Sequence, residues 1–343
     1  MASKRMAWLD WQRGLAVLFM IEVHVLGGWT APEAAHGWLY DVLRLIGGFA
    51  APGFLYMAGL SLVLADEAQA ARGVPARERR RQHLVRALYL LGVAYAFRVA
   101  EYLLGAGFWV EDGWLGIFRV DVLNIIAVAL ALVALVTVGL ERRWRLGASA
   151  AAAGLVVAVT PIVAARPWDS LAWGYVFMPG GSGFGACNWT AFALAGGFVG
   201  TLLAARPWPG LVLALGAGLA ALGLGIDRLP PLYALQGFWA VSPAWFLMRL
   251  GITVALSGAL MLLPQTLRGL TWLTKLGRHS LFAYMASVEL TYGLLFKRWH
   301  GRLELGPMVA SVVGVTLATL ALIQALEWPS ARRLRTRDSA GAR

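Results

Sequence analysis

Hydrophobic runs of about 20 residues, separated by short polar stretches, recur from one end of the chain to the other. Each is long enough to cross the ~30 Å hydrocarbon core of a bilayer as an α-helix. The pattern predicts spans at roughly 8–29, 39–65, 84–104, 119–140, 146–165, 188–205, 209–226, 244–263, 278–297 and 307–327. The fold class expected is therefore an all-α integral membrane protein, a polytopic bundle of about ten transmembrane helices. The second span carries Pro52 after the Gly47–Gly48 pair, so a kink is expected there. One membrane domain is expected over 1–330, with a basic tail at 331–343. No internal repeat is visible, which leaves the inverted-repeat architecture of many transporters unsupported.

The polar positions that interrupt these runs say more than the runs do. The first span reads LDWQRGLAVLFMIEVHVLGGW over Leu9–Trp29 and holds Asp10, Arg13, Glu22 and His24. A charge in the middle of a membrane helix costs about 2.5–3.5 kcal/mol on insertion scales, so such residues usually face a protein-lined cavity. At ~100° per residue, Arg13 and His24 lie within roughly 20° of each other, Asp10 about 60° from Arg13, and Glu22 on the opposite side. Arg13 and His24 are about 16 Å apart along the axis, so one polar stripe runs from near one membrane surface toward the other. The plainer alternative is an interfacial Asp10–Arg13 ion pair and a His24 hydrogen bond to a neighbouring helix.

Composition narrows the class. Of 343 residues, 59% are hydrophobic and only 14% charged, more apolar surface than a water-soluble domain needs. Cys187 is the only cysteine, which excludes an internal disulfide and any cysteine-based metal or redox site. MASKRMAW lacks the apolar core and cleavage site of a signal peptide, so the first helix is expected to stay in the mature protein. The net charge of +12 could suggest nucleic acid, but its distribution points elsewhere. Roughly twenty of the thirty Lys and Arg fall in connections of one parity, as the positive-inside rule expects. Both termini are therefore expected in the cytoplasm, with no nucleic-acid partner. That basic face suits membrane lipid headgroups or a phosphate-rich cofactor. The connection 66–86, with ARGVPARERRR, is expected to be a solvated topology determinant.

Three connections of the other parity are rich in Gly, Pro, Trp and Tyr: Trp29–Trp38, Arg166–Asn188 and Asp227–Ala244. Such rings are normally interfacial belt residues, though they could also form a sugar-binding rim. The first of these holds His36, twelve residues after His24 and able to fold back toward it. An imidazole titrating near pH 6.5 suits general-base removal of a proton from an amine or hydroxyl, or transient acyl acceptance. RVDVLN opens the fourth span with Arg119, Asp121 and Asn124, which could line a site or only anchor the helix. LGRHSLFAYMASVELTYG opens the ninth, where Arg278 and His279, followed by Ser280, sit at a helix start that could hold phosphate or be only a capped helix with snorkelling bases, with Glu289 deeper in. Metal-protease, nucleotide-hydrolysing and dinucleotide motifs are absent, and no metal is expected.

Taken in order, these blocks resemble the transmembrane acyltransferases typified by lysosomal heparan-α-glucosaminide N-acetyltransferase. LDWQRGLAVLFMIEVH with His36 is similar to that family's opening, and GGFAAPGFLYMAGLSLVLA to its second helix. RVDVLNIIAVAL, NWTAFALAGGFVG, SPAWFLMRLG and LGRHSLFAYMASVELTYG resemble later blocks, best among bacterial members carrying this domain alone. The resemblance implies acyl transfer from cytoplasmic acetyl-CoA to a sugar or glycan on the far side of a bacterial inner membrane. It makes His36 the catalytic base or acyl carrier, assisted by His24 where the lysosomal enzyme has Asn. Departures are Asn124, where Gln is expected, and Ser287, where bacterial relatives often have His.

The expected donor contacts are Arg13, Asp10, Arg119, Asn124, Arg278 and Ser280. The expected acceptor contacts are Asp121, Asn188, Glu289 and Trp38. Acyl-CoA, a sugar or glycan acceptor and membrane lipids are the expected partners, and a homodimer is the assembly to look for. Two competing classes are a secondary transporter using Arg13, Glu22 and His24 as proton and substrate relay, and an inactive relative binding lipid or a partner. A basic, CoA-sized pocket around Arg13 and Arg278 would distinguish the enzyme.

Overall fold

The computed structural model describes residues 6–105, 110–165, 171–176, 184–230, 233 and 241–341. Among these the fold is helical. The long elements are α1 (Ala7–Trp29), α2 (Trp38–Gly47), α3 (Ala50–Ala70), α4 (Ala76–Leu104), α5 (Val122–Thr137) and α6 (Arg142–Ala164). A single turn, α7 (Leu171–Gly174), is followed by α8 (Ala186–Ala205), α9 (Pro209–Ile226) and α10 (Pro243–Leu262). The chain ends with α11 (Thr271–Arg278), α12 (Ser280–Tyr292) and α13 (Leu305–Gly341).

Helix lies on every predicted segment, and seven helical stretches are long and apolar enough to cross a membrane. They are Trp38–Ala70, Ala76–Leu104, Gly113–Thr137, Arg142–Ala164, Pro209–Ile226, Pro243–Leu262 and Leu305–Trp328. The first helix is not among them, because Asp10, Gln12, Arg13, Glu22 and His24 dilute its apolar surface. The break in the second span falls at Gly47–Gly48 rather than at Pro52. Pro52 instead occupies the first turn of α3, where its missing N–H leaves no helical bond unmade. The ninth span is also divided. α12 stops at Gly293, whose extended backbone leads into a 3-10 turn over Leu294–Trp299.

The chain divides into two compact units. The first takes the residues up to Ala50 and those from Thr266 onward; the second takes nearly all that lies between. Membrane helices gain little from the hydrophobic effect against one another, so they associate where small residues let backbones approach. In the first unit that happens between α1 and α11. A Cβ on Gly14 would overlap the Leu273 carbonyl, and one on Gly277 the Asp10 carbonyl. The Trp11 Nε1–H donates to Thr274 Oγ1 at 3.0 Å across the same seam.

Two such seams build the second unit. Gly59 of α3 packs on the Ala193 carbonyl of α8, and Gly196 of α8 on the Tyr56 carbonyl of α3. Gly216 of α9 and Gly251 of α10 meet across the second seam, Gly223 of α9 packs on the Ala244 carbonyl of α10, and Gly258 of α10 packs on the Leu213 backbone of α9. Above the α3–α8 seam, Trp189 and Phe192 pack against Trp245 and Phe246 of α10.

These seams leave no room for a branched side chain. Gly196→Val is expected to destabilise the protein by on the order of 1–3 kcal/mol through overpacking. Gly218→Ala, where a Cβ meets open space, is the control. Thermal unfolding of the detergent-solubilised variants checks this; a wild-type midpoint for Gly196→Val would refute the close approach.

Candidate active site

The chemistry-bearing residues of the first unit gather at the two ends of α1. At its N-terminal end Asp10 is buried and receives two arginines. Arg13 Nη1 approaches Oδ1 at 3.5 Å, one helical turn away, and Arg278 Nε approaches Oδ2 at 3.4 Å from the end of α11. The Gly277–Asp10 backbone contact fixes that second approach, since it places Arg278 one residue from the seam. Asp10 thus holds two guanidiniums side by side while the Arg278 side chain stays half exposed. Next to it, His279 Nε2 meets Glu327 Oε1 at 3.0 Å, Lys275 lies 3.9 Å from Glu327 Oε2, and Lys275 also bonds Gln324. Ser280 is the first residue of α12 and partly buried. The face is cationic, with a donor-rich rim fit for phosphate oxygens.

At the other end, the ring of His24 stands edge-on to Tyr284 at 6.3 Å and Tyr292 at 5.8 Å. The Tyr292 hydroxyl donates to the His24 carbonyl at 3.0 Å. A Cβ on Gly28 would sit 2.9 Å from the Tyr292 ring, so that glycine makes the space the ring occupies. The segment after α12 then folds back over the end of α1. Gly301 N–H donates to Gly28 O at 3.0 Å, Leu303 N–H to Trp29 O at 2.8 Å, and Ala31 N–H to Leu303 O at 2.8 Å. Trp29 stacks on Phe296 and meets Trp299 edge-on.

His36 follows a 3-10 turn at Pro32–Ala34 and is exposed. Gly37, with φ of 90°, turns the chain from His36 into α2, a backbone conformation suited to glycine. Trp38 begins α2 and is 76% exposed. His24 faces α12, Arg13 pairs with Asp10 on its own helix, and Glu22 faces α2. There a Cβ on Gly47 would overlap Glu22 Oε2. The carboxylate is buried, and neither oxygen has a hydrogen-bond partner among the described residues. Glu289 is half buried on α12, three residues before Tyr292.

The second unit carries the other expected residues. Asp121 caps α5, accepting from the Leu123 and Asn124 amides, while Asn124 Oδ1 accepts from the Asp121 amide at 3.1 Å. That reciprocal capping box accounts for Asp and Asn at this spacing. Asp121 Oδ2 also takes Arg98 Nη2 at 2.8 Å, and Arg98 Nη1 reaches Glu101 at 2.6 Å, all three residues being buried. Asn124 donates to the Tyr175 hydroxyl at 3.1 Å, and Tyr175 bonds Tyr95. Burial, and then the Tyr95 hydroxyl, hold the Tyr175 phenol above its ordinary pKa, so it stays protonated at neutral pH. Arg119 lies just before the cap, partly buried. Asn188 belongs to α8, but its side chain lies outside the described residues, as does most of the Arg166–Asn188 and Asp227–Ala244 connections.

Two features escaped the sequence reading. Arg98 and Glu101 stand three apart inside an apolar helix, the same signal that marks α1. The basic connection 66–86 is not simply solvated: Asp66, Arg79 and His83 are buried in helices. Arg79 Nε meets Asp66 Oδ1 at 2.7 Å, Arg145 Nη2 lies 3.6 Å from Oδ2, and Arg145 also pairs with Glu67. An acidic residue at the end of α3 draws two of the nearby arginines inward, because a lone buried carboxylate would be costly. Among the described residues no cluster of His, Cys, Asp and Glu could hold a metal ion.

A family model described as heparan-alpha-glucosaminide N-acetyltransferase, catalytic, matches residues 5–222, well over half of the chain. None of the curated proteins matches it. The matched stretch contains Asp10, Arg13, His24 and His36, and it stops before Arg278 and the segment that folds over α1.

Replacing Arg98 by Ala would strand two buried carboxylates and is expected to cost roughly 3–5 kcal/mol. Arg143→Ala, which breaks an exposed pair with Glu141, should cost under ~1 kcal/mol. Unfolding midpoints of both variants in detergent check the contrast; equal losses would show that the Arg98 pairs are not buried.

Proposed function

Because the chain belongs to the heparan-α-glucosaminide N-acetyltransferase catalytic family, we propose that it is a membrane-bound acyltransferase moving an acetyl group from cytoplasmic acyl-CoA to a sugar amine or hydroxyl outside. The observation that carries this is the family match across the segment holding His24 and His36. The geometry of α1 supports it. Its 23 residues span about 34 Å at 1.5 Å per residue, close to a bilayer's hydrophobic thickness. One end is the cationic cluster of Arg13, Lys275 and Arg278; the other is ringed by His24, His36 and aromatic side chains. The proposal includes ten spans in a bacterial plasma membrane, with the first end, both termini and the basic tail in the cytoplasm; the charge asymmetry of the connections supports that orientation.

In this reading Arg278 and Arg13 meet the donor's phosphates, with Asp10 holding both guanidiniums and the start of α12 at Ser280 adding backbone donors. Arg119 and Asn124 are also assigned to the donor, and Asp121 to the acceptor. Trp38, Asn188 and Glu289 are assigned to the acceptor, a sugar or glycan. His36 acts as general base or as transient acyl carrier, and His24 assists. Holding thioester and acceptor together supplies much of the rate by proximity. The family sets aside a secondary transporter built on Arg13, Glu22 and His24.

Acetyl-CoA binding to detergent-solubilised protein, followed by calorimetry with desulfo-CoA as control, tests the donor half. Micromolar affinity is expected, and well-folded protein that binds no CoA species would end the acyltransferase reading. Arg278→Ala should weaken donor binding with little loss of stability, since its side chain is half exposed. His36→Ala should slow transfer about 10²–10⁴-fold at unchanged donor affinity. A fully active His36→Ala protein would remove that residue from the mechanism.

A further inference from the structure

A third histidine, besides His24 and His36, is held near the C-terminal end of α1. His300 lies at the end of the 3-10 turn Leu294–Trp299, on the segment folded over α1. Its Nε2 is 2.9 Å from the Thr291 carbonyl oxygen. A carbonyl only accepts, so Nε2 carries the proton and Nδ1 of the neutral ring keeps its lone pair. The same carbonyl receives Trp29 Nε1–H at 2.8 Å, which anchors it from α1. The His300 ring packs edge-on to Tyr292 at 5.6 Å, and Tyr292 in turn faces the His24 ring. The Gly301–Gly28 and Leu303–Trp29 backbone bonds place the residues that follow His300 at the last turn of α1, beside the start of the His36 connection. His36, by contrast, is exposed on a turn.

We propose that His300 is a further catalytic residue of this site: the base whose Nδ1 takes the proton of the attacking sugar amine or hydroxyl. This rests on the acyltransferase reading. Fixing one ring nitrogen through a hydrogen bond to a carbonyl is what presents the other as a base in a defined tautomer. The balance is the same whether the acyl group comes straight from sulfur or by way of His36. A bond forms from the acceptor to the acyl carbon. The bond from that carbon to sulfur, or to the His36 nitrogen, breaks with its electron pair on the leaving atom. The acceptor's proton goes to His300 Nδ1 and from there to water. His36 is then left to handle the acyl group.

Three measurements test this. In His300→Gln the amide can still donate to Thr291, so the fold-back is retained while the base is lost. That variant is expected to unfold at the wild-type temperature, bind acetyl-CoA normally and transfer about 10²–10⁴-fold more slowly. Added imidazole should restore part of the transfer lost in His300→Ala. Long-range 15N spectra of histidine-labelled protein should show His300 protonated on Nε2. Wild-type transfer by His300→Gln, activity loss that only tracks lost thermal stability, or a ring protonated on Nδ1 would each overturn the proposal. Wild-type protein that transfers no acyl group would instead overturn the acyltransferase reading beneath it.

Discussion

The contact between the backbones of α1 and α11 at Gly14 and Gly277 sets most of what the first unit can do. With no Cβ on Gly277, the Asp10 carbonyl comes against the helix that ends in Arg278. That single approach delivers Arg278 to the Asp10 carboxylate and aligns α12, which begins two residues later, along the remainder of α1. The consequence appears some 20 Å away by helix rise, where the His24 ring meets Tyr284 and Tyr292. Any side chain at either glycine would push the seam apart, loosening the cationic end and the histidine end together.

Within each unit, buried charges gather in threes. Asp10 has Arg13 and Arg278; Asp66 has Arg79 and Arg145; Arg98 has Glu101 and Asp121. The central group of each cluster is matched by two of opposite sign, which offsets the desolvation that a single partner often fails to repay. The rule is broken at Glu22, whose carboxylate is packed against Gly47 without a hydrogen bond among the described residues. Burying a carboxyl group without a hydrogen bond is costly, and this one sits beside the last residue of α2.

Much of this was legible in the sequence, and what was missed has physical reasons. The helical class follows from apolar runs of bilayer length, and the α1 stripe from charges at helical spacing in such a run. Asp10 with Arg13 is a local pair that spacing alone suggests. Arg278 is joined to them only by folding, across more than 260 residues. The glycine seams were hidden because Gly216, Gly223, Gly251 and Gly258 read simply as small residues in glycine-rich helices until their partners are known. A kink is legible from Gly47, Gly48 and Pro52 together, but which of them breaks the helix is not: a proline in a first turn bends nothing, and the break falls at the glycine pair.

The histidines show the same division between local and folded information. His24 and His36 stand out because one interrupts a membrane span and the other follows it closely. His300 sits in the basic, aromatic stretch LLFKRWHGR, which reads as an interfacial anchor and nothing more. Only the fold-back over α1 turns it into a ring with one nitrogen tied to a carbonyl and the other left for chemistry. Exposure alone would favour His36 as the reacting group, whereas tautomer control favours His300. A transfer that must both accept an acyl group and remove a proton has work for each, because an exposed, unheld ring suits the first task and a held ring the second.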